Sequence, residues 1–238
     1  MSQPDLDTLY ATVDATWPPA AFHRAGPWIL REGRGGGKRV SAATSDGPLG
    51  PEDIATAEAA QERLGQRPLF MIRAGDAALD AALEARGYEV VDPVVIYLAP
   101  VADMIGEIPA VAAFTVWPPL AIQRHLWAQG GIGPGRLAVM DRAEGPKTAL
   151  LARRSDHPAG CGFVALNGDI AMLHALEVPP EMRRQKSAVY MMRRAAIWAQ
   201  DHGAKWFSLV VTEANEGARA LYASFGMTIV GKYHYRMK

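Results

Sequence analysis

The sequence predicts an α/β (α+β) fold: a mixed, mostly antiparallel central sheet flanked by helices, built as two similar halves. Three observations predict it. Residues 136–178 read as successive extended runs broken by short turns, the pattern of an antiparallel meander. Residues 169–238 then read strand, turn, long helix, strand, short helix, strand. A short helix that stops at glycine and becomes a strand occurs twice, as ALEARGYEVV at 82–91 and LYASFGMTIV at 221–230. TWPPAA at 16–21 also echoes VWPPLA at 116–121.

Taken in order, residues 5–16 read as a short helix interrupted by the WPP at 17–19. PWILRE (27–32), the glycine turn GRGGG (33–37) and KRVSAATS (38–45) read as a hairpin, with glycines supplying positive φ in the turn. PEDIATAEAAQERLG carries Pro51 at its start and Gly65 at its end, the Pro-in, Gly-out signature of a helix. PLFMIR (68–73) is a strand, 76–87 a helix closed by Gly87, and 88–98 extended, with Pro93 marking a bulge or an edge. The pattern loosens over 99–110, which divides the chain into an N-terminal domain at 1–98, a linker at 99–110 and a C-terminal domain at 111–238. AAFTV is a short strand and PPLAIQRHLWAQGG a helix. RLAVMD (136–141), KTALLARR (147–154), GCGFVALNG (160–168) and DIAMLHALEV (169–178) are the meander. A long helix follows from about Arg183 to His202, with Ala188, Met192, Ala195, Ala196 and Ala199 on one face. KWFSLVVTE (205–213) is a buried strand, EGARALYASFG (216–226) a short helix, and MTIVGKYHYRM the closing strand.

Composition narrows the function. A length of 238 residues is comfortable for two domains, and 49% hydrophobic with 21% charged residues is ordinary for a soluble globular protein. The formal net charge is zero, which argues against nucleic acid as a partner despite the local arginines at 183–184 and 193–194. One cysteine, Cys161, excludes an internal disulfide and argues against a cysteine-based zinc site; between Gly160 and Gly162 it reads as a buried, inert thiol. No metal ligands are expected. The opening MSQPDLDTLY has no secretory pattern and no apolar run spans a bilayer, so the expected location is cytoplasmic, away from membranes. GGIGPG (130–135) follows a helix rather than a strand and is a connector, not a dinucleotide loop.

The informative stretch is VPPEMRRQKSA, from Val178 to Ala188. Pro179-Pro180 forces the chain out of the sheet, and the turn then presents successive N–H groups at a helix N-terminus, where phosphate binds well. The next strand is followed by Asn215 and then by Leu221-Tyr222 on the short helix, ahead of Gly226, in NEGARALYASFGM. In these motifs, and in YHYR at 233–236, the segment resembles the GCN5-related N-acetyltransferase superfamily, whose cofactor turn has the form Gln/Arg-x-x-Gly-x-Gly/Ala. The match covers roughly 169–238; the acetyltransferase-like fold would extend back to about residue 101, and the N-terminal half resembles the family only as a degenerate tandem copy.

The resemblance implies acetyl-CoA as cosubstrate. Its pyrophosphate would lie on the N–H groups of Arg184, Gln185, Lys186, Ser187 and Ala188, with Arg183 and Arg184 adding charge-assisted contacts. The pantetheine arm would pair with backbone near Leu176 and Val178, where an N–H also stabilises the oxyanion, and Asn215 would complete the cofactor site as well as capping its helix. Tyr222 matches the family's proton donor to the departing thiolate. The glutamate that some members use as base is Met172 here; His174, two residues on, is the candidate base, beside a core-histidine reading, with Glu177 on the opposite face and Glu213 at the end of the next strand as weaker candidates. Lys186 stands at the first glycine position of the turn and is expected to take ordinary helical geometry, its ammonium either crowding or gripping phosphate. The function implied is N-acetylation of a primary amine on a small molecule or peptide by direct transfer, in a monomer or homodimer. The alternative is an inactive acyl-CoA- or ligand-binding protein that kept the fold.

Overall fold

A computed structural model describes residues 2–47, 50 and 52–238. The chain opens with helix α1 (Leu6–Thr16), capped by the Asp5 side chain on the Thr8 N–H, and a small antiparallel sheet of β1 (Ala21–Ala25), β2 (Trp28–Glu32) and β3 (Thr44–Ser45). Then come α2 (Asp53–Arg63), β4 (Leu69–Ile72), α3 (Ala77–Ala85) and the long strand β5 (Glu89–Pro100). After a 3-10 turn at Val101–Met104 the chain continues with β6 (Ala113–Val116), α4 (Ala121–Gln129) and α5 (Pro134–Arg142). The meander β7 (Lys147–Arg154), β8 (His157–Asn167) and β9 (Ile170–Glu177) leads into α6 (Ser187–Asp201), β10 (Trp206–Thr212), α7 (Glu216–Ser224) and β11 (Thr228–Met237).

The main sheet has eight strands in the order β4-β11-β5-β10-β9-β8-β7-β6. All neighbours are antiparallel except β9 and β10. Period-two alternation assigns its faces. Val164, Leu166, Ala171 and Leu173 point to α6, whose buried Met191, Met192, Ala195, Ala196 and Ala199 cover them. Cys161, Phe163 and Ala165 point the other way, onto Trp127 of α4 and Val139 and Met140 of α5.

The strands flanking the 99–110 segment belong to one sheet, and β5 lies between β10 and β11. Within β4-β11-β5-β10, exchanging β4 with β10 and β11 with β5 leaves the order unchanged. The likeness goes further. A parallel bridge from Ala43 to Phe70 sets the start of β3 beside β4, as β9 lies parallel to β10. The WPP echo does not follow this symmetry: Trp17 follows α1 whereas Trp117 precedes α4.

Several elements differ from the sequence reading. KRVSAATS is not a return strand; Lys38–Val40 forms a 3-10 turn and only Thr44–Ser45 pairs with β2. The reason is packing: Val40 is fully buried, and the glycine loop lies so close to α5 that a Cβ on Gly36 would strike Val139 and one on Gly135 would strike the Gly35 backbone. RLAVMD belongs to α5, since Pro134 is preset for a first helical turn. Strand β1 has no apolar alternation to betray it, being exposed along its middle. The Pro51 start signal of α2 lies outside the described residues.

Candidate functional site

The site forms where the parallel pair comes apart. β9 and β10 are paired from Ile170↔Trp206 to Leu173↔Leu209, yet β9 continues to Glu177 and β10 to Thr212 without further pairing to each other. A bulge in β9 coincides with the parting. Ala175 is left-handed (φ 51°), and the register against β8 jumps from Phe163↔His174 to Cys161↔Glu177. Two residues of β9 thus face one of β8. Because Cys161 and Phe163 share a face, their partners Glu177 and His174 do as well. This corrects the expectation that Glu177 and His174 face opposite ways.

On the α6 side the split opens into a groove of ≈ 790 Å³. Leu176, Val178, Arg183, Arg184, Lys186, Ser187, Ala188, Asn215 and Tyr222 all line it, and Glu177 borders it at the end of β9 while its carboxyl group reaches to the other face, against Gly130 at the end of α4. The remaining cofactor candidate, Gln185, folds back to donate to the Glu181 carbonyl at 3.1 Å. The turn entering α6 is the groove's polar end. Arg184 (φ 62°) and Lys186 (φ 67°, ψ 7°) are both left-handed, with Gln185 between them at negative φ. Alternation of this kind turns successive N–H groups inward as an anion-binding nest. Lys186 therefore departs from the expected helical geometry, and α6 begins only at Ser187, not Arg183. The glycine of the family pattern supplies a conformation that lysine adopts here at a cost. The Ser187 hydroxyl is buried with no hydrogen-bond partner, its residue only 4% exposed, so the nest contains an unused donor. Arg183 Nε donates to the Val178 carbonyl at 3.1 Å, tying the turn to the strand end. Asn215 caps α7, accepting from the Ala218 N–H at 3.1 Å. Tyr222 packs its ring edge-on against Tyr97, with centroids 5.6 Å apart. Burial, with Tyr97 adding to it, pushes the Tyr222 phenol well above its ordinary pKa. The sequence reading passed over Met182 and Gly217, which also line the groove. Both fall inside the quoted motifs, so proximity to those motifs was the signal.

On the opposite side of the split a smaller cleft of ≈ 240 Å³ is lined by Trp17, Lys38, Arg39, Arg136, Ala175 and Thr212, among others. Ala175 lines the cleft and Leu176 the groove, so the two cavities flank adjacent residues of β9 from opposite sides. No local motif marked Arg39 or Arg136; the fold alone brings them here.

His174 lines neither cavity. It is 4% exposed and both ring nitrogens are engaged: Thr16 Oγ1 lies 2.8 Å from Nε2 and Arg39 Nη1 lies 3.0 Å from Nδ1. A guanidinium only donates, so Nδ1 accepts and Nε2 carries the proton. That proton goes to Thr16 Oγ1, which in turn donates to the Thr12 carbonyl at 2.6 Å. Burial and then the Arg39 charge hold the His174 pKa well below its ordinary value. Glu177 is half-buried, and burial raises its pKa although Arg183 lies 4.0 Å away. The Glu213 carboxylate is held by Lys232 at 2.9 Å, and this hydrogen bond lowers its pKa. Met172 is fully buried. Burial raises the Cys161 thiol pKa. Among the described residues no group of three or more His, Cys, Asp or Glu could hold a metal ion, and no helix is long and apolar enough to cross a membrane.

A mixed sheet split between two parallel strands, with a groove on one side and a smaller cleft on the other, defines an α/β protein with cavities on both faces of one sheet. Residues 108–227 match the family model described as Acetyltransferase (GNAT) family, and the chain belongs to that family. No curated protein matches it. Among solved structures it is similar to a GCN5-related N-acetyltransferase from Kribbella flavida (TM-score 0.67, 17% identity, covering 99% of this chain and 96% of that one). A functionally unknown conserved protein from Staphylococcus epidermidis aligns with TM-score 0.71 at 10% identity, over 94% and 96% of the two chains. A tandem GNAT protein from the clavulanic acid biosynthesis pathway aligns with TM-score 0.62 at 14% identity, over 94% and 85%. At such identities these likenesses speak to the fold. Membership of the family supports acetyltransferase activity.

Proposed function

We propose that the protein is an acetyl-CoA-dependent N-acetyltransferase that acts on the primary amine of a small molecule by direct transfer. The observation that carries this reading is the turn of left-handed Arg184 and Lys186 at the end of a groove opened by the parting of β9 and β10, with a second cleft flanking the neighbouring residue Ala175. The residues present fit acetyl-CoA. The N–H groups of the 184–188 turn and the free Ser187 hydroxyl suit a pyrophosphate, and the unpaired edges of β9 and β10 suit an amide-bearing arm. When bound, acetyl-CoA supplies the acetyl group as an activated thioester.

The chain's own residues divide the proton traffic. Glu177, whose raised pKa keeps it basic enough to be useful, takes the proton lost by the amine as the N–C bond forms. Tyr222 stays protonated in its buried position and gives its proton to the thiolate released as the C–S bond breaks. His174 is assigned no proton transfer, because its one lone pair is occupied by Arg39; it braces Arg39 instead. The N-terminal half is read as a degenerate second copy, supported by the exchange symmetry of β4-β11-β5-β10. In that half Leu83 falls where Tyr222 does in the aligned helix-glycine-strand segments, which removes the acid.

The test is calorimetric titration with acetyl-CoA, followed by a thiol-release assay over a panel of primary amines. Saturable binding with release that Tyr222→Phe slows supports the reading. Absence of saturable binding overturns it, and binding without release from any amine favours a retained acyl-CoA-binding role.

A further inference from the structure

We propose that the acceptor is a small amine that also carries a carboxylate, held in the cleft by Arg39 and Arg136. This rests on the reading of the cleft as the acceptor site. The argument is one of charge. Three cationic side chains line the cleft, Lys38, Arg39 and Arg136, and one acidic side chain, Asp92. Asp92 is already committed, its Oδ2 lying 2.7 Å from Lys38 Nζ. Among the described residues the two guanidinium groups, of Arg39 and Arg136, are left without a carboxylate.

Arg39 is the more telling of the two. Its Nη1 donates to a neutral imidazole, that of His174, and its Cζ lies 5.8 Å from the centroid of the Trp17 ring. Neither neutralises the charge. Its Nε is buried and has no hydrogen-bond partner. The residue as a whole is partly buried, and a guanidinium withdrawn in part from water keeps its charge and favours an anionic partner. The Thr12–Thr16–His174 chain of hydrogen bonds fixes this guanidinium in place, so its planar fork is pre-organised for a planar carboxylate. Arg136 stands at the mouth, its Nε 3.3 Å from where a Cβ on Gly37 would lie, and its side chain makes no ion pair among the described residues. Gly37 leaves room for Arg136.

Size and placement define the ligand further. The cleft has ≈ 240 Å³, at or below the low end of usual small-molecule sites, which suits a small metabolite. Since Ala175 also lines it, an amine directed at the split would lie a few bonds from an anion on Arg39. That is the layout of an amino acid.

The experiment uses product analogues, so that it does not depend on turnover. N-acetyl amino acids and their carboxamides, identical in shape and differing in charge, are titrated into the full chain with and without coenzyme A. At least one acid is expected to bind at least tenfold more tightly than its amide. The ratio is expected to fall towards one in Arg136→Gln and in Arg39→Gln, with coenzyme A affinity unchanged. Acids and amides that behave alike across the panel, including no binding by either, overturn the proposal, as does a preference that survives both substitutions. Should Arg39→Gln fail to fold, Arg136→Gln, a substitution at an exposed position, decides alone. Coenzyme A titrated by itself tests the functional reading separately: its failure to bind leaves the acid-to-amide ratio of the free protein still to be scored.

Discussion

Replacing Lys186 by glycine is expected to stabilise the protein while weakening acetyl-CoA only slightly. Lys186 sits at φ 67°, ψ 7°, in the left-handed region, directly before α6. A left-handed L-residue costs about 1–2 kcal/mol. Glycine adopts the same geometry without that strain but loses about 0.5–1 kcal/mol more chain entropy on folding. The difference leaves a net gain of about 0.5–1 kcal/mol. For a chain of this size that raises Tm by about 1–4 °C. The ammonium makes no ion pair among the described residues and is exposed, so its attraction for a phosphate is worth on the order of 0.3–1 kcal/mol. Its loss weakens binding by no more than about fivefold, with the larger effect at low salt. The nest survives, because backbone N–H groups build it. Scanning calorimetry and acetyl-CoA titration at two salt concentrations read both quantities. Lys186→Val provides the contrast: a β-branched residue tolerates positive φ poorly, so stability and binding fall together. A lower Tm in Lys186→Gly, or an affinity loss near a hundredfold, would refute the account of this turn.

Ser187→Ala removes a buried hydroxyl that has no partner in the free protein. Stability is expected to hold or rise, while acetyl-CoA binding weakens about 3- to 10-fold, the worth of one hydrogen bond; thermal melts and titration separate the two. Glu177→Gln is expected to lower kcat by about a hundredfold or more and to abolish the acid limb of the pH–rate profile, which in the parent protein lies above the ordinary carboxylate range. Since the folded pKa of Glu177 is raised, its contribution to stability is present at low pH and is lost as pH rises through that value, so the glutamine variant is the more stable of the two at neutral pH. His174 has the opposite sign for folding. Its folded pKa is lowered, so its contribution is complete above the unfolded value near 6.5 and is lost as pH falls below it. Urea midpoints measured from about pH 7.5 to about pH 5 are expected to fall more steeply in the parent protein than in His174→Gln.

Much of the groove was legible in the sequence because its chemistry is local. Pro179-Pro180 must leave the sheet, the turn to Ala188 must expose N–H groups, and Asn215 must cap whatever helix carries Tyr222. These are statements about neighbours within a few residues, and eight of the nine cofactor candidates line one groove, Gln185 being the exception. The helix face of Met192, Ala195, Ala196 and Ala199 was equally plain, since a 3.6-residue period needs no knowledge of the partner surface.

The other side of the sheet was decided by tertiary structure. Period-two alternation assigns a face only while the register is unbroken, so the bulge at Ala175 reversed the side on which Glu177 lies. The fate of His174 depended on Arg39 and Thr16, which are 135 and 158 residues away in sequence. Arg39 in turn reaches the cleft only because the glycine loop packs on α5 instead of closing a hairpin. The sequence by itself determined the turn between β9 and α6 and the helix start that follows it, because those features depend on residues close together along the chain. Which charges surround the cleft, and which of them remain unpaired among the described residues, was decided by contacts between distant segments, because electrostatic pairing depends on distance in space and not along the chain.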